Sequence, residues 1–154
     1  MEVLISGDGN NNAAVQYTIG TAPLSGTKGK LAYDQLVEFW GQFDPYTMNT
    51  ILCSTGTMMK LLKVPELQNP LTGLNFQGTG KLTSPLGAQL HRTSAVADGV
   101  IIGLDNRYAL ELVRAGDVLV EYDKLIDRQL ERAAITSISG FGKIMPEAAK
   151  VLVI

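Results

Sequence analysis

The chain has little of what most site chemistries require: its 154 residues include one cysteine, Cys53, and one histidine, His91. A single cysteine excludes an intramolecular disulfide and a cysteine-based zinc site, and it fits an intracellular origin. A single histidine means that any Ser-His-Asp arrangement must use His91, and no Gly-x-Ser-x-Gly elbow accompanies it. His91 stands beside Arg92 and reads as a surface or interface residue, while Cys53, within Ile51-Leu52-Cys53, reads as a small core residue. Charge of one sign is also lacking. Thirteen Lys and Arg against fifteen Asp and Glu give a net charge of -2. The basic residues are interleaved with acidic ones, as in Asp127, Arg128, Glu131 and Arg132, which removes the electrostatic case for nucleic acid. No apolar run reaches the length of a membrane span and no leader-like segment opens the chain. A soluble protein, unsecreted by the usual route, is expected.

What is present is the composition of a folded globular protein, 45% apolar and 18% charged, within the size of one ordinary domain. Val3-Leu4-Ile5 reads as a strand end before the turn-forming run Ser6-Gly7-Asp8-Gly9-Asn10-Asn11-Asn12, and residues 14–19 read as a second short strand. Residues 20–29 form a Gly- and Thr-rich loop. Leu36, Phe39, Trp40 and Phe43 recur at helical spacing, so residues 31–43 carry the clearest helix. Residues 50–53 form a strand candidate that feeds a helix capped by Ser54 or Thr55 and ending before Pro65. The density of Gly and Pro across residues 67–87 predicts a long contacting or mobile loop.

Residues 99–103 form another strand candidate, and Asp105 is placed to cap a helix over 106–115 with Gly116 as its stop. Val118-Leu119-Val120 reads as a strand, whereas the spacing in residues 123–138 fits either a helix or an extended chain. The pattern predicts one α+β body whose core includes Leu36, Trp40, Ile51, Leu52, Leu61, Ile101, Ile102 and Val113.

No motif yields a catalytic, cofactor-binding or metal-ligating residue. Asp8, Asn10 and Asn12 sit at the first three ligand positions of a calcium loop, but Ala13 stands where the turn needs Gly and Ile19 where a bidentate Glu belongs. Gly78-Thr79-Gly80-Lys81-Leu82-Thr83 lacks the leading Gly of a phosphate loop, Asn75 standing in its place, and Leu82 follows the Lys instead of Ser or Thr. Met58 and Met59 read as packing residues.

Four stretches carry a family resemblance: Leu82-Thr83-Ser84-Pro85-Leu86-Gly87-Ala88, Asp98-Gly99-Val100-Ile101-Ile102-Gly103-Leu104-Asp105, Tyr108-Ala109-Leu110 and Ser139-Gly140-Phe141-Gly142-Lys143-Ile144. In order and spacing they are similar to the major capsid proteins of tailed phages, which share the Hong Kong 97-type fold with encapsulins. The resemblance runs from about Thr50 to the end, with Tyr33-Asp34-Gln35-Leu36 the best earlier match. It implies an axial-domain sheet with flanking helices plus a carboxy-terminal strand of the peripheral domain, the peripheral part covering about 117–154. It also resolves residues 123–138 toward an extended chain. The amino-terminal arm, extended loop and spine helix of the family have no counterpart in the sequence, so a truncated gene, a processed fragment or an excised domain is expected.

The implied function is a structural subunit, or fragment, of a phage or prophage head, found in the virion or in the bacterial cytoplasm. Its partners are copies of itself or full-length subunits, with no specific nucleic acid, membrane or cofactor. An encapsulin-like compartment shell and a small α+β enzyme are the alternatives. Alone, the chain is expected as a monomer or small cyclic oligomer.

Overall fold

The computed structural model describes residues 2–7, 9, 12–68, 82–83, 86–125 and 130–154. In chain order its elements are α1 (Glu2–Ser6), β1 (Val15–Thr18), α2 (Tyr33–Gly41), β2 (Thr50–Cys53), α3 (Thr55–Leu62), α4 (Pro65–Gln68), β3 (Leu82–Thr83), β4 (Gln89–Arg92), β5 (Val100–Leu104), β6 (Glu111–Arg114), β7 (Leu119–Leu125), β8 (Leu130–Thr136), β9 (Ser139–Gly142) and β10 (Ala149–Val153). A six-stranded mixed sheet runs in the order β1-β10-β5-β2-β4-β3.

Two interior strands of that sheet, β10 and β5, pair antiparallel with Leu152 opposite Ile101 and Val151 opposite Ile102. Their period-two alternation divides the core into two layers. Ile101 and Leu152 lie in the layer with Leu36 and Phe39 of α2 and Met58 and Leu61 of α3. Ile102 and Val151 lie in the other, with Leu4 of α1, Ala109 and Ala148. A strand buried on both faces reads as a continuous apolar run. This is why Val100-Ile101-Ile102 and Val151-Leu152-Val153 lack polar alternation.

Gly103 interrupts the run because no side chain fits there. A Cβ at this position would lie 2.8 Å from Met48 Sδ and Phe43 Cζ and 3.0 Å from Phe39 Cε1. The close approach lets the two phenyl rings of α2 and its following turn pack edge-to-face at 5.3 Å directly over the strand.

β5 ends at Asp105, whose side chain has no exposed surface. Its carboxylate accepts from Thr47 N (3.2 Å), Asn49 Nδ2 (3.0 Å), Arg107 N (3.1 Å), Arg107 Nε (3.1 Å) and an Arg107 terminal nitrogen (3.0 Å). The hydrogen bonds from the Arg107 side chain lead the effects that hold the carboxyl down at about 2, against the opposing effect of burial.

The helices expected around Leu36 and after Ser54 are present, and Ser54 caps α3 by accepting from Thr57 N at 3.2 Å. Other expectations are corrected. Val3-Leu4-Ile5 lies in the single-turn helix α1 and not in a strand. The helix expected over 106–115 does not form. Asp105 does cap one turn, its carbonyl accepting from Tyr108 N and Ala109 N, but Glu111–Arg114 then extends to pair with β9.

Val113 is consequently 55% exposed, and Trp40 is 44% exposed. Trp40 lies on the flank of the α2 stripe next to exposed Val37, while Leu36 and Phe39 take the buried centre. Leu52 is only partly buried, and the other five residues of the expected core are buried. Residues 119–125 and 130–136 pair with each other outside the six-stranded sheet, and β10 returns to that sheet between β1 and β5. Most of the loop read over 67–87, with Gly78-Thr79-Gly80-Lys81, lies outside the described residues. Among the described residues no helix is long and apolar enough to cross a membrane.

Two outcomes follow. Gly103→Ala forces the Phe39, Phe43 and Met48 side chains apart and lowers unfolding free energy by about 1–3 kcal/mol in a denaturant titration. Asp105 has a depressed folded-state pKa, so its stabilisation is full above its ordinary value of 3.8 and is lost as pH falls toward about 2. Asp105→Asn is expected to lower neutral-pH stability by about 2 kcal/mol or more. It is also expected to flatten the decline between pH 4 and pH 2, read by thermal melts across that window.

Candidate assembly surface

Among the described residues of 111–142, two antiparallel pairs form outside the six-stranded sheet, β6 with β9 and β7 with β8. Ala115 N donates to Ile138 O at 3.0 Å where the pairs meet, so the chain forms a continuous ribbon. The sequence favours it: Val113, Val118, Val120, Tyr122, Ile135 and Thr136 are β-branched or aromatic, and Gly116 (φ 157°) lies between β6 and β7.

The register sorts the β7–β8 side chains onto two faces. Val120 lies opposite Ile135 and Tyr122 opposite Ala133 on one face, with Lys124 opposite Glu131 beyond them. The last two form an exposed ion pair at 3.8 Å. The other face carries Glu121 opposite Ala134 and Asp123 opposite Arg132. In β6–β9, Leu112 lies opposite Phe141.

In a folded domain the apolar face of such a sheet is normally covered, and a two-stranded ribbon is marginal by itself. Here Tyr122 is 82% exposed, Ile135 72% and Phe141 60%. Apolar groups exposed contiguously along one ribbon mark an interaction surface more strongly than scattered ones. Among the described residues its edges pair with no further strand, which leaves backbone donors and acceptors along them.

The residues singled out earlier do not converge on a second site. His91 is exposed on β4 in register with Leu52 of β2. Cys53 is fully buried, and burial pushes its thiol up to about 11, which leaves it protonated and unreactive at neutral pH. Met58 is in the core and Met59 is 55% exposed. Ser54 Oγ donates to Asp98 and accepts from the α3 backbone, a capping arrangement. Asp8 and Asn10 lie outside the described residues, while the Asn12 amide donates to Lys143 O at 3.1 Å. Among the described residues no group of three or more His, Cys, Asp and Glu could hold a metal ion.

Two lysines are buried. Lys143 donates to Leu4 O at 3.1 Å, and Lys150 donates to Gln42 O with its ammonium 5.4 Å from the Phe43 ring centre. Burial lowers the Lys150 pKa. Both lysines tie distant segments together.

The strand expected at Val118-Leu119-Val120 and the extended chain that the resemblance implies beyond it are present in β7 and β8, whereas β6 sits where a capped helix was expected, so the pairing of the segments was not foreseen. The usable signal was the pairing potential of Val120-Glu121-Tyr122 with Ala133-Ala134-Ile135, visible once both are taken as extended.

No protein-family model matches the chain, and no curated protein does. Among solved structures, the chain is similar to the holo-SrpI encapsulin complex from Synechococcus elongatus PCC 7942, determined by cryo-electron microscopy. Identity is 14% and the TM-score 0.56, over 99% of this chain and 58% of that one. The chain therefore spans somewhat more than half the length of its structural neighbour. The likeness establishes the α+β capsid-type fold that the sequence stretches suggested.

If the ribbon face is uncovered in the monomer, Tyr122→Ser shifts unfolding free energy by less than about 0.5 kcal/mol. Ile102→Ala, in the double-sided core, costs about 2–5 kcal/mol. Equilibrium urea unfolding of the two variants side by side checks the contrast.

Proposed function

We propose that the chain is a structural subunit, or part of one, of a self-assembling protein shell, and that the shell is a phage or prophage head. The observation that carries this reading is the ribbon of residues 111–142. It projects apolar side chains that the described body does not cover, on a chain of capsid-type fold. Subunit contacts, and not bond chemistry, are the work such a surface can do. On this reading the partners are copies of the chain or full-length subunits, and the protein resides in the virion or, expressed from a prophage, in the bacterial cytoplasm.

Within that reading the six-stranded sheet with α2 and α3 corresponds to the axial part that surrounds a capsomer axis. The ribbon corresponds to the peripheral part. Residues 117–154 do not divide cleanly between them, because β10 belongs to the axial sheet and β7–β8 to the ribbon. The second reading, an encapsulin-like compartment shell, is favoured by the solved neighbour, itself an encapsulin. Portal and terminase genes beside the coding sequence support the head. Cargo genes in their place support the compartment. A catalytic reading would have to rest on His91, which lies exposed on β4, or on the acidic residues, and among the described residues no three His, Cys, Asp or Glu group together as a metal site.

The purified chain is expected to sediment as a monomer when dilute and to shift toward small cyclic oligomers as concentration rises, without closed particles in electron micrographs. Sedimentation velocity over a hundredfold concentration range is the check. A single species with a constant sedimentation coefficient throughout that range would count against self-assembly.

A further inference from the structure

The two long edges of the β7–β8 hairpin are chemically unlike. Both are unpaired among the described residues, since β7 and β8 pair with each other alone. Two identical strands pair antiparallel about a two-fold axis perpendicular to the sheet, and that axis passes midway between the strands, with one residue lying opposite its own copy.

On β7 every central register opposes carboxylates. An axis at Glu121 sets that residue against itself, an axis at Tyr122 sets Glu121 against Asp123, and an axis at Asp123 sets two aspartates together. Like charges directly opposite destabilise a ladder. On β8 an axis at Ala134 gives Ala134 opposite Ala134, Ala133 opposite Ile135 and Arg132 opposite Thr136, with no like charges facing. Arg132 already faces Asp123 of its own β7. The two Arg132 side chains would stand roughly 14 Å apart along the strands, beyond the screening length at physiological salt.

From this asymmetry we infer that β8 is the mating edge. The β8 strands of two copies join antiparallel about a two-fold axis at Ala134 and make one four-stranded sheet flanked by the two β7 strands. The inference rests on the self-assembly reading and names the surface that performs it. A perpendicular two-fold keeps like faces on the same side, so Val120, Tyr122, Ala133 and Ile135 of both copies form one apolar strip twice as wide. The four-strand sheet also passes the threshold at which a sheet holds its shape without outside support. β7, with Glu121 and Asp123 in line, is the edge protected from further addition, so the sheet closes at four strands. An edge contact of about five residues buries well under the roughly 1,200 Å² of a stable interface, so the dimer exchanges rapidly in isolation.

The test compares the unaltered chain with four single-residue variants. Ala134→Lys and Ala134→Glu each place like charges across the axis and are expected to weaken dimerisation about tenfold or more in sedimentation equilibrium. Mixing the two restores it, a result that loss of folding would not give. In parallel, Ala134→Cys is expected to form an intermolecular disulfide under mild oxidant much faster than Glu121→Cys, while the buried Cys53 stays silent.

If the unaltered chain associates and Ala134→Lys associates equally well, β8 is not the mating edge, although self-assembly stands. If the unaltered chain stays monomeric at every concentration, both the edge and the shell reading are overturned. Equal crosslinking at 121 and 134 also overturns the edge.

Discussion

The carboxylate of Asp105 has no exposed surface, so its charge can be held only by donors of the chain itself. They come from the approach to β2 through Thr47 and Asn49 and from the turn after β5 through Arg107. Asn49 also accepts from Asn106 N and donates to Asn106 Oδ1, which locks the same two segments a second time. Asp105 N donates to Ala148 O, at the mouth of β10. The buried anion thus fixes where β2 enters and where β5 stops, because a charge without partners there would cost several kcal/mol. The backbone N–H of the same residue ties in the approach to β10, so three neighbouring strands meet at that end of the sheet.

Everything beyond that point divides into a part that is finished and a part that is not. The sheet is covered on both faces, and at Gly103 the covering rings touch backbone with no space for a methyl group. The ribbon that leaves the Asp105 turn has the opposite character, with its apolar residues in solvent and its edges open. On the proposed reading such a difference in completeness suits a subunit: a body that holds its shape before assembly and a surface whose burial is deferred to it.

The body was largely legible in the sequence. Leu36 and Phe39 at helical spacing, the Ser54 cap and the uninterrupted Val100-Ile101-Ile102 run each impose a local geometry with no near competitor. Other features depend on facts that are not local. β10 is an interior strand because it pairs in parallel with β1, whose residues lie more than a hundred positions away, as well as with β5, and an apolar run of five does not disclose its neighbours. Asp105 gave a correct cap signal, yet the turn it starts is cut short by long-range pairing of Leu112 with Phe141. Trp40 and Val113 misled for one reason: hydrophobicity does not by itself dictate burial, and both side chains stay on the surface. The exposed apolar ribbon could not be recognised from composition, because its pattern has meaning only against the parts of the molecule that are covered.

The burial of Cys53 gives the molecule a built-in chronometer. The thiol lies in β2, between β5 and β4, without exposed surface, and burial keeps it protonated. A reagent can reach it only while the sheet is open, so the pace of its alkylation counts openings of the core strands. Because the ribbon contains no cysteine, that count is blind to motion at the outer surface. The unaltered chain therefore reports, through one sulfur atom, whether contact between copies steadies the interior or leaves its breathing unchanged.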